Sequence, residues 1–176
     1  SACGFASRSE KTKQDDAIVR VVPTFNSDSA YHYVKAQCDF GPRVPGTEAH
    51  AACLNYFVEQ FNRFGADTVI VQDGETMLYD GSKMPIHNVV ASYGIGKPNR
   101  VMICAHWDSR PFADNDINPA NRRKAIIGAN DGASGVGVIM ELARQLGLKD
   151  ASMGVDLILF DLEDWGAPDW AQSKLP

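Results

Sequence analysis

The sequence predicts an α/β fold with a parallel pair of central strands. Two strongly apolar runs, 100–106 and 155–161, have the composition of strands that are buried on both faces. Between them, residues 134–146 carry apolar side chains at helical spacing and are followed by Gly147. A strand, a helix and a second strand in this order form a crossover connection, which makes the two strands parallel.

Two helices are expected before the central strands. Asn26 or Ser27 can cap a short helix over 28–37. Thr47 begins a second helix, whose apolar residues follow one face until the chain reaches Gly65. Both helices are therefore amphipathic and are expected to pack against the sheet.

The segment between the second helix and the first central strand predicts further strands. Residues 67–72 read as a strand, Asp73–Gly74 as a hairpin turn, and 76–79 as the partner strand. Residues 86–93 form the next expected strand and are closed by a Gly- and Pro-containing turn.

Composition restricts the class of protein. The chain has 176 residues, of which 44% are hydrophobic and 22% charged, the balance of one ordinary globular domain. A net charge of -5 without a basic stripe argues against a nucleic-acid partner. No apolar run approaches the ~20 residues that span a bilayer.

The four cysteines form no CxxC pair, which argues against a structural zinc knuckle. Cys53 falls on the apolar face of the second helix and Cys104 in an apolar strand, so both are expected to be buried thiols. A disulfide between Cys38 and Cys53 is left open by the sequence.

Cys3 stands in a different context. The letters SAC followed by Gly4 resemble the end of a bacterial lipoprotein signal, in which the cysteine becomes the lipidated first residue. Residues 4–16, which follow it, are polar and without periodicity, as expected of a tether, and we assign 1–25 as the N-terminal tether. We therefore expect a bacterial cell-envelope protein, on the periplasmic side or exterior, that contacts a membrane only through a lipid anchor. The alternative is an ordinary cysteine near a frayed terminus.

Five ionisable residues are predicted to converge on one edge of the sheet. His106 and Asp108 follow the first central strand, Glu163 and Asp164 follow the second, and Asp131 precedes the crossover helix. Parallel α/β sheets carry their ligands at the carboxyl ends of the strands. The five side chains are therefore candidates for a single site.

The residue types at this edge point to a bound cation. Glu163 and Asp164 would repel each other unless a cation lies nearby or one carboxyl stays protonated. Carboxylate and imidazole groups together suit zinc. For Asp131, which lies between Gly128 and Gly132, the alternative is an N-cap of the helix that follows.

Four motifs resemble, in order, those of the superfamily of zinc-dependent aminopeptidases (M28-like) and glutaminyl cyclases. They span about Asp39 to Trp170 and read FGPRVPGTEAH, AHWDSRPF, GANDGASGVGVIMELAR and LILFDLEDWG. Within the superfamily, the sequence is most similar to bacterial glutaminyl cyclases of the animal, single-zinc type. Asp164 stands where the aminopeptidases typically have a second glutamate.

The resemblance implies a fold and a set of roles. The fold would have three layers, αβα, with a central mixed, largely parallel twisted sheet flanked by helices, as in zinc exopeptidases. Asp131 and Asp164 would bind zinc, and Glu163 would be the general acid/base. His106, with Asp108 orienting it, would bind a second metal in a peptidase and no metal in a cyclase.

Two further expectations come from the resemblance. Trp165 and Trp170 are candidates for an aromatic wall around the substrate, although either could be a packing residue. The family's third zinc ligand is a histidine near the C-terminus, and none of the four histidines matches it; they are His32, His50, His87 and His106. Residues 26–176 are therefore expected to be the N-terminal part of a single α/β zinc-enzyme domain, truncated at its C-terminal side.

The implied activity is cyclisation of N-terminal glutaminyl residues of peptides or proteins to pyroglutamate, with release of ammonia and with one zinc ion. One alternative is a zinc aminopeptidase that uses two metals, and the number of metal ions would distinguish the two enzymes. Another is a non-catalytic binding module that uses the same fold without its metal.

Overall fold

The computed structural model of the protein describes residues 22–172. Cys3 and most of the expected tether lie outside this range. The elements in chain order are α1 (Ser27–Asp39), α2 (Glu48–Arg63), β1 (Thr68–Met77), β2 (Lys83–Tyr93), β3 (Arg100–His106), α3 (Ala133–Leu148), β4 (Gly154–Phe160) and α4 (Asp169–Gln172).

The four strands form one mixed sheet in the order β1-β2-β4-β3. β3 and β4 are parallel, in a register that runs from Arg100 opposite Gly154 to His106 opposite Phe160. The predicted crossover through α3 is thus confirmed. β2 pairs antiparallel with both β1 and β4, so the parallel part of the sheet within the described residues is the β3–β4 pair.

Helices α2 and α3 pack on one face of this sheet, and α1 lies against α3. α2 contacts β1 and β2, and α3 contacts β3 and β4. The hydrophobic core lies between the helices and the sheet, and its fully buried members include Phe57, Phe61, Val89, Trp107, Met140, Leu157 and Leu159. Burial of each large side chain contributes roughly 1.5–3 kcal/mol. No helix in residues 22–172 is long and apolar enough to cross a bilayer.

The predicted helix starts are confirmed. The Asn26 side chain caps α1 by accepting a hydrogen bond from the amide of Ser29 at 2.9 Å. The Thr47 hydroxyl caps α2 in the same way through the amide of His50 at 3.2 Å. α2 ends just before Gly65, whose φ of 72° is a left-handed conformation that favours glycine.

The expected turn at Asp73–Gly74 is wrong. β1 continues through both residues, because β2 begins at Lys83 and is long enough to pair with the whole of β1. The connection instead uses the next Asp-Gly pair, where Gly81 has a φ of 82°. The Asp80 carboxylate accepts hydrogen bonds from the amide and the hydroxyl of Ser82, which closes the turn.

The prediction that β3 is buried on both faces is also wrong within the described part of the chain. β3 is an edge strand there because only β4 pairs with it. Met102 and Cys104 are exposed on the sheet face opposite the helices, so Cys104 is not the buried thiol that we expected. Cys53 is fully buried as predicted, and Cys38 and Cys53 are free thiols rather than a disulfide.

Candidate active site

The candidate site lies at the carboxyl ends of β3 and β4, next to the start of α3. His106 is the last residue of β3, and Asp108 follows two residues later. Glu163 and Asp164 follow β4, and Asp131 immediately precedes the first turn of α3. The structure brings all five predicted side chains into one cluster.

His106 is at the centre of this cluster. Its Nε2 lies 3.0 Å from Oδ1 of Asp131. Its Nδ1 lies 3.4 Å from Oδ1 of Asp108 and 3.8 Å from Oε2 of Glu163. The contact with Asp108, supported by Asp131 and Glu163 and opposed by burial, raises the pKa of His106 to about 9. In the absence of a cation, the imidazolium is therefore the charge that balances these acids at neutral pH.

Asp108 connects the two strand ends. Its side chain is fully buried, and its two oxygens accept hydrogen bonds from successive amides, Oδ1 from Glu163 at 3.1 Å and Oδ2 from Asp164 at 3.0 Å. A carboxylate that accepts backbone N–H bonds in this way forms strong, charge-assisted contacts. Asp108 thus fixes the backbone from which both acidic side chains project.

The turn that carries these acids is strained. Leu162 has a φ of 62°, the only positive value at a non-glycine residue in the described range. Such a conformation costs on the order of 1–3 kcal/mol and persists only when its surroundings impose it. Here the Asp161 carboxylate accepts the amide of Leu162 at 2.9 Å, and Asp108 holds the two amides that follow.

A buried histidine, His50, also supports the turn that carries Glu163 and Asp164. His50 Nε2 lies 2.8 Å from Oδ1 of Asp161, and both side chains are almost completely buried. The His50 ring stacks on Trp107 at 4.1 Å, and the other oxygen of Asp161 accepts the amide of His87 at 2.9 Å. His50 and the backbone of His87 therefore have structural roles, and they hold α2 and β2 to the end of β4.

The two adjacent acids differ in environment. The Glu163 side chain is 64% exposed, whereas that of Asp164 is 14% exposed. Burial and the neighbouring carboxylates of Asp131 and Asp108 raise the pKa of Asp164 to about 6. The Oδ2 atom of Asp164 is buried and has no hydrogen-bond partner. A buried, unpartnered carboxylate oxygen beside a second carboxylate fits a divalent cation. The cation would remove both the cost of burying the oxygen without a partner and the repulsion between the two carboxylates.

The described residues contain no complete group of metal ligands. Among residues 22–172, no three His, Cys, Asp or Glu side chains form a group that could hold a metal ion. The resemblance places two ligands in this range, Asp131 and Asp164, and a histidine outside it. The donor set is therefore compatible with zinc and incomplete within the described part of the chain.

Asp131 is not the N-cap of α3, which was the alternative reading of this residue. The cap position is Gly132, with a φ of 84° and no side-chain capping bond. A Cβ atom at Gly132 would lie 2.8 Å from the backbone oxygen of Asp108 and 3.2 Å from Cε1 of His106. Glycine is required at this position because the backbone passes so close to the site.

A second ion pair holds the chain after the acidic turn. Arg110 binds both oxygens of Asp114, at 2.8 and 2.6 Å, and donates to the backbone oxygen of Asp164 at 3.2 Å.

The Trp170 ring packs edge-on against Phe112 at 5.2 Å, and Arg123 lies 4.8 Å from its centroid. Trp170 thus has packing partners, while part of its surface stays exposed.

Sequence reasoning missed the residues that brace the site. They are Arg43, His50, Asp161 and Arg110, and each acts through a contact with a distant part of the chain. One signal was present for Asp161, which is a third acid at the end of the β4 run. Another was present for Arg43, an arginine in a turn of glycines and prolines between two amphipathic helices.

Comparisons with known proteins match this fold. The model of Peptidase family M28 matches residues 88–174. The crystal structure of the Tannerella forsythia glutaminyl cyclase is 48% identical and covers 85% of this chain and 51% of that chain, with a TM-score of 0.83. A Zn-dependent exopeptidase from Parabacteroides distasonis ATCC 8503 is 47% identical, with the same coverage and TM-score. Among curated proteins, the glutaminyl-peptide cyclotransferase of Drosophila melanogaster is 24% identical over 73% of this chain and 36% of its own length.

The mixed sheet, the helices packed on it and the acids at the ends of its parallel strands define the class: the fold shared by zinc exopeptidases and glutaminyl cyclases. The chain is similar to Peptidase family M28 over residues 88–174, and its close structural neighbours are bacterial glutaminyl cyclases. It spans about half the length of these solved structures.

The geometry predicts that Asp108→Asn lowers the pKa of His106. The contact with the Asp108 carboxylate is the largest cause that raises this pKa to about 9, and an amide carries no charge. NMR titration of the His106 ring in the metal-free protein measures the change. Asp156→Asn, which removes a carboxylate paired with Arg100 away from the site, is the control. An unchanged His106 titration in Asp108→Asn would show that the cluster is not organised around this pair.

Proposed function

We propose that the complete protein is a glutaminyl-peptide cyclotransferase. It would convert N-terminal glutaminyl residues of peptides or proteins to pyroglutamate and release ammonia. The identity of 48% to the Tannerella forsythia glutaminyl cyclase supports this proposal, as does the cluster of acids at the strand ends. Its partners would be peptides or proteins with N-terminal glutamine, with no role for nucleic acid.

Zinc would be the cofactor, with Asp131 and Asp164 as two of its ligands. The unpartnered Oδ2 atom of Asp164 and the raised pKa of this carboxyl support the assignment. When bound, zinc would polarise the γ-carbonyl of the substrate glutamine and stabilise the negative charge that develops on its oxygen. One ion is proposed per complete chain.

The single observation that carries the mechanism is the different exposure of the two adjacent acids. Asp164 is turned into the cluster and is largely buried, whereas Glu163 is 64% exposed and open to a substrate. In the proposed reaction, Glu163 accepts a proton from the substrate α-amine as its nitrogen attacks the γ-carbonyl carbon. Glu163 then delivers that proton to the departing amide nitrogen, which leaves as ammonia.

The nucleophile and the electrophile belong to the same substrate. The chain therefore has no need to activate a water molecule, and correct placement of the glutaminyl residue supplies much of the rate enhancement. Trp165 and Trp170 follow the acidic pair and are proposed as the aromatic wall that provides this placement. Both are partly exposed.

A zinc aminopeptidase is the second candidate, and one observation favours it. His106 Nε2 lies 3.0 Å from Asp131, so an imidazole is available beside a proposed metal ligand. In a two-metal peptidase the metals lie ~3.5–4 Å apart and activate a water molecule. Similarity to the glutaminyl cyclases and the aspartate at position 164 favour the cyclase, in which His106 would not bind metal.

Replacement of Glu163 by Gln tests the proposed proton transfer. The substitution keeps the shape of the side chain and removes its ability to accept a proton, so turnover of a glutaminyl peptide should fall on the order of 10²–10⁴-fold. Zinc content and thermal stability should stay near those of the parent. Glu59→Gln, at an exposed position on α2, is the matched control and should leave turnover unchanged. Cyclisation by Glu163→Gln at the parent rate would rule out this role.

Metal content tests the proposed ligands and distinguishes the two enzymes. Asp131→Ala and Asp164→Ala should each strip zinc from the complete protein, because each removes a charged ligand. His106→Ala should leave the zinc of a cyclase largely in place. Metal analysis of the purified variants is the measurement, and the parent should hold one zinc per chain. Two metals in the parent, and their loss in His106→Ala, would favour the aminopeptidase.

We also propose a cell-envelope location, with a lipid anchor at Cys3. The support is the SAC-Gly sequence and the polar segment that follows it. Mass spectrometry of the N-terminus of the natural protein should find Cys3 as a lipidated first residue. An unmodified Cys3 preceded by a longer chain would contradict the proposal.

A further inference from the structure

Arg43 is completely buried and is not part of the acidic cluster. It lies in the turn between α1 and α2, far in sequence from the site. Its guanidinium donates three hydrogen bonds, all to backbone carbonyls: Nε to Trp107 at 3.0 Å, Nη1 to Ile127 at 2.9 Å, and Nη2 to Gly128 at 2.9 Å. Burial of a charge on carbonyl groups alone is costly, and it lowers the pKa of Arg43.

The first of these contacts brackets Asp108. Arg43 Nε binds the carbonyl of the residue before Asp108, and the backbone oxygen of Arg43 accepts the amide of Ser109, the residue after it, at 3.2 Å. Both peptide groups that flank Asp108 are therefore tied to one residue. Asp108 in turn holds the amides of Glu163 and Asp164. Arg43 therefore constrains the position of the acidic turn through Asp108.

The other two contacts reach the Asp131 side of the site. The carbonyl of Gly128 accepts both Arg43 Nη2 and the amide of Ala133, the first residue of α3, at 3.2 Å. These bonds close the loop that carries Asp131. A Cβ atom at Gly128, where φ is 60°, would lie 3.0 Å from Nη2 of Arg43 and 2.9 Å from Cβ of Ser109, so the loop fits tightly around the guanidinium.

We propose that Arg43 is a positioning residue that sets the distance between the two halves of the site, Asp131 on one side and the Glu163–Asp164 turn on the other. The planar, five-donor fork of arginine can bind three carbonyls that point in different directions. A lysine ammonium keeps the charge and cannot reproduce this geometry, and it would leave buried carbonyls without partners. This inference rests on the proposed function only where it concerns zinc.

The test compares Arg43→Lys with the parent in the complete protein by two measurements. In the metal-free protein, amide hydrogen exchange at Ser109, Glu163 and Asp164 should accelerate about tenfold or more, because local opening becomes easier. Exchange at the paired amides of β2 and β4 should stay near the parent rate. In a chelator competition, zinc affinity should fall about 10–100-fold, as is typical when a residue that orients metal ligands is lost.

The matched control is Arg144→Lys. Arg144 also holds a buried partner through two bonds, to the Glu141 carboxylate at 2.7 and 2.9 Å, but this pair is on α3 away from the site. It should leave the exchange of the three site amides and the zinc affinity unchanged. Gly128→Ala is a second test, with Arg43 intact. It should accelerate exchange at the same three amides if the contacts between Arg43 and the loop at Gly128 position the site.

The outcomes separate this inference from the proposed function. Uniform acceleration of exchange across the sheet in Arg43→Lys, or unchanged exchange at the three site amides, would overturn the positioning role. A parent protein that binds no zinc and cyclises no glutaminyl peptide would overturn the proposed function, while the exchange measurement would still decide the role of Arg43.

Discussion

The structure of the site depends on one interaction, the pair of hydrogen bonds from the amides of Glu163 and Asp164 to the buried Asp108 carboxylate. Asp108 follows β3 and the two amides follow β4, so these bonds join the ends of the parallel strands. They also stabilise the left-handed Leu162. Without them, the contact of the Leu162 amide with Asp161 would have to balance the strain of this turn without the help of Asp108, and the backbone that carries the two acidic side chains would be less firmly held.

A concentration of negative charge is the second constraint, and it follows from the first. Burial and the nearby carboxylates of Asp131 and Asp108 raise the pKa of Asp164 to about 6, and the contact with Asp108 raises the pKa of His106 to about 9. A site of this kind costs folding free energy unless a cation is bound. The repulsion between these carboxylates would also make the site bind a divalent metal strongly. The cost to folding and the proposed function therefore have one origin.

The sequence predicted the parts of the site that local patterns and topology determine. The ends of two apolar runs and one crossover helix were sufficient to place His106, Asp108, Asp131, Glu163 and Asp164 together. The helix caps at Asn26 and Thr47 were also correct, since capping depends on residues only three apart.

The remaining features depend on contacts between distant segments, which local patterns do not encode. Asp73–Gly74 has the composition of a turn, but pairing with β2 keeps it extended. The apolar run of β3 does not reveal that it lies at the edge of the described sheet. His50 meets Asp161 across 111 positions, and Arg43 meets Gly128 across 85, so neither brace could be read from spacing.

The most direct test of the central claim is a crystal structure of the complete protein grown with zinc, with anomalous scattering measured at the zinc edge. We predict one anomalous peak, with carboxylate oxygens of Asp131 and Asp164 ~2.0–2.2 Å from the ion. Glu163 should lie near the ion without binding it, and His106 should not be a ligand. An ion bound by His106, or no anomalous peak between the two aspartates, would contradict the assignment of a single zinc to Asp131 and Asp164.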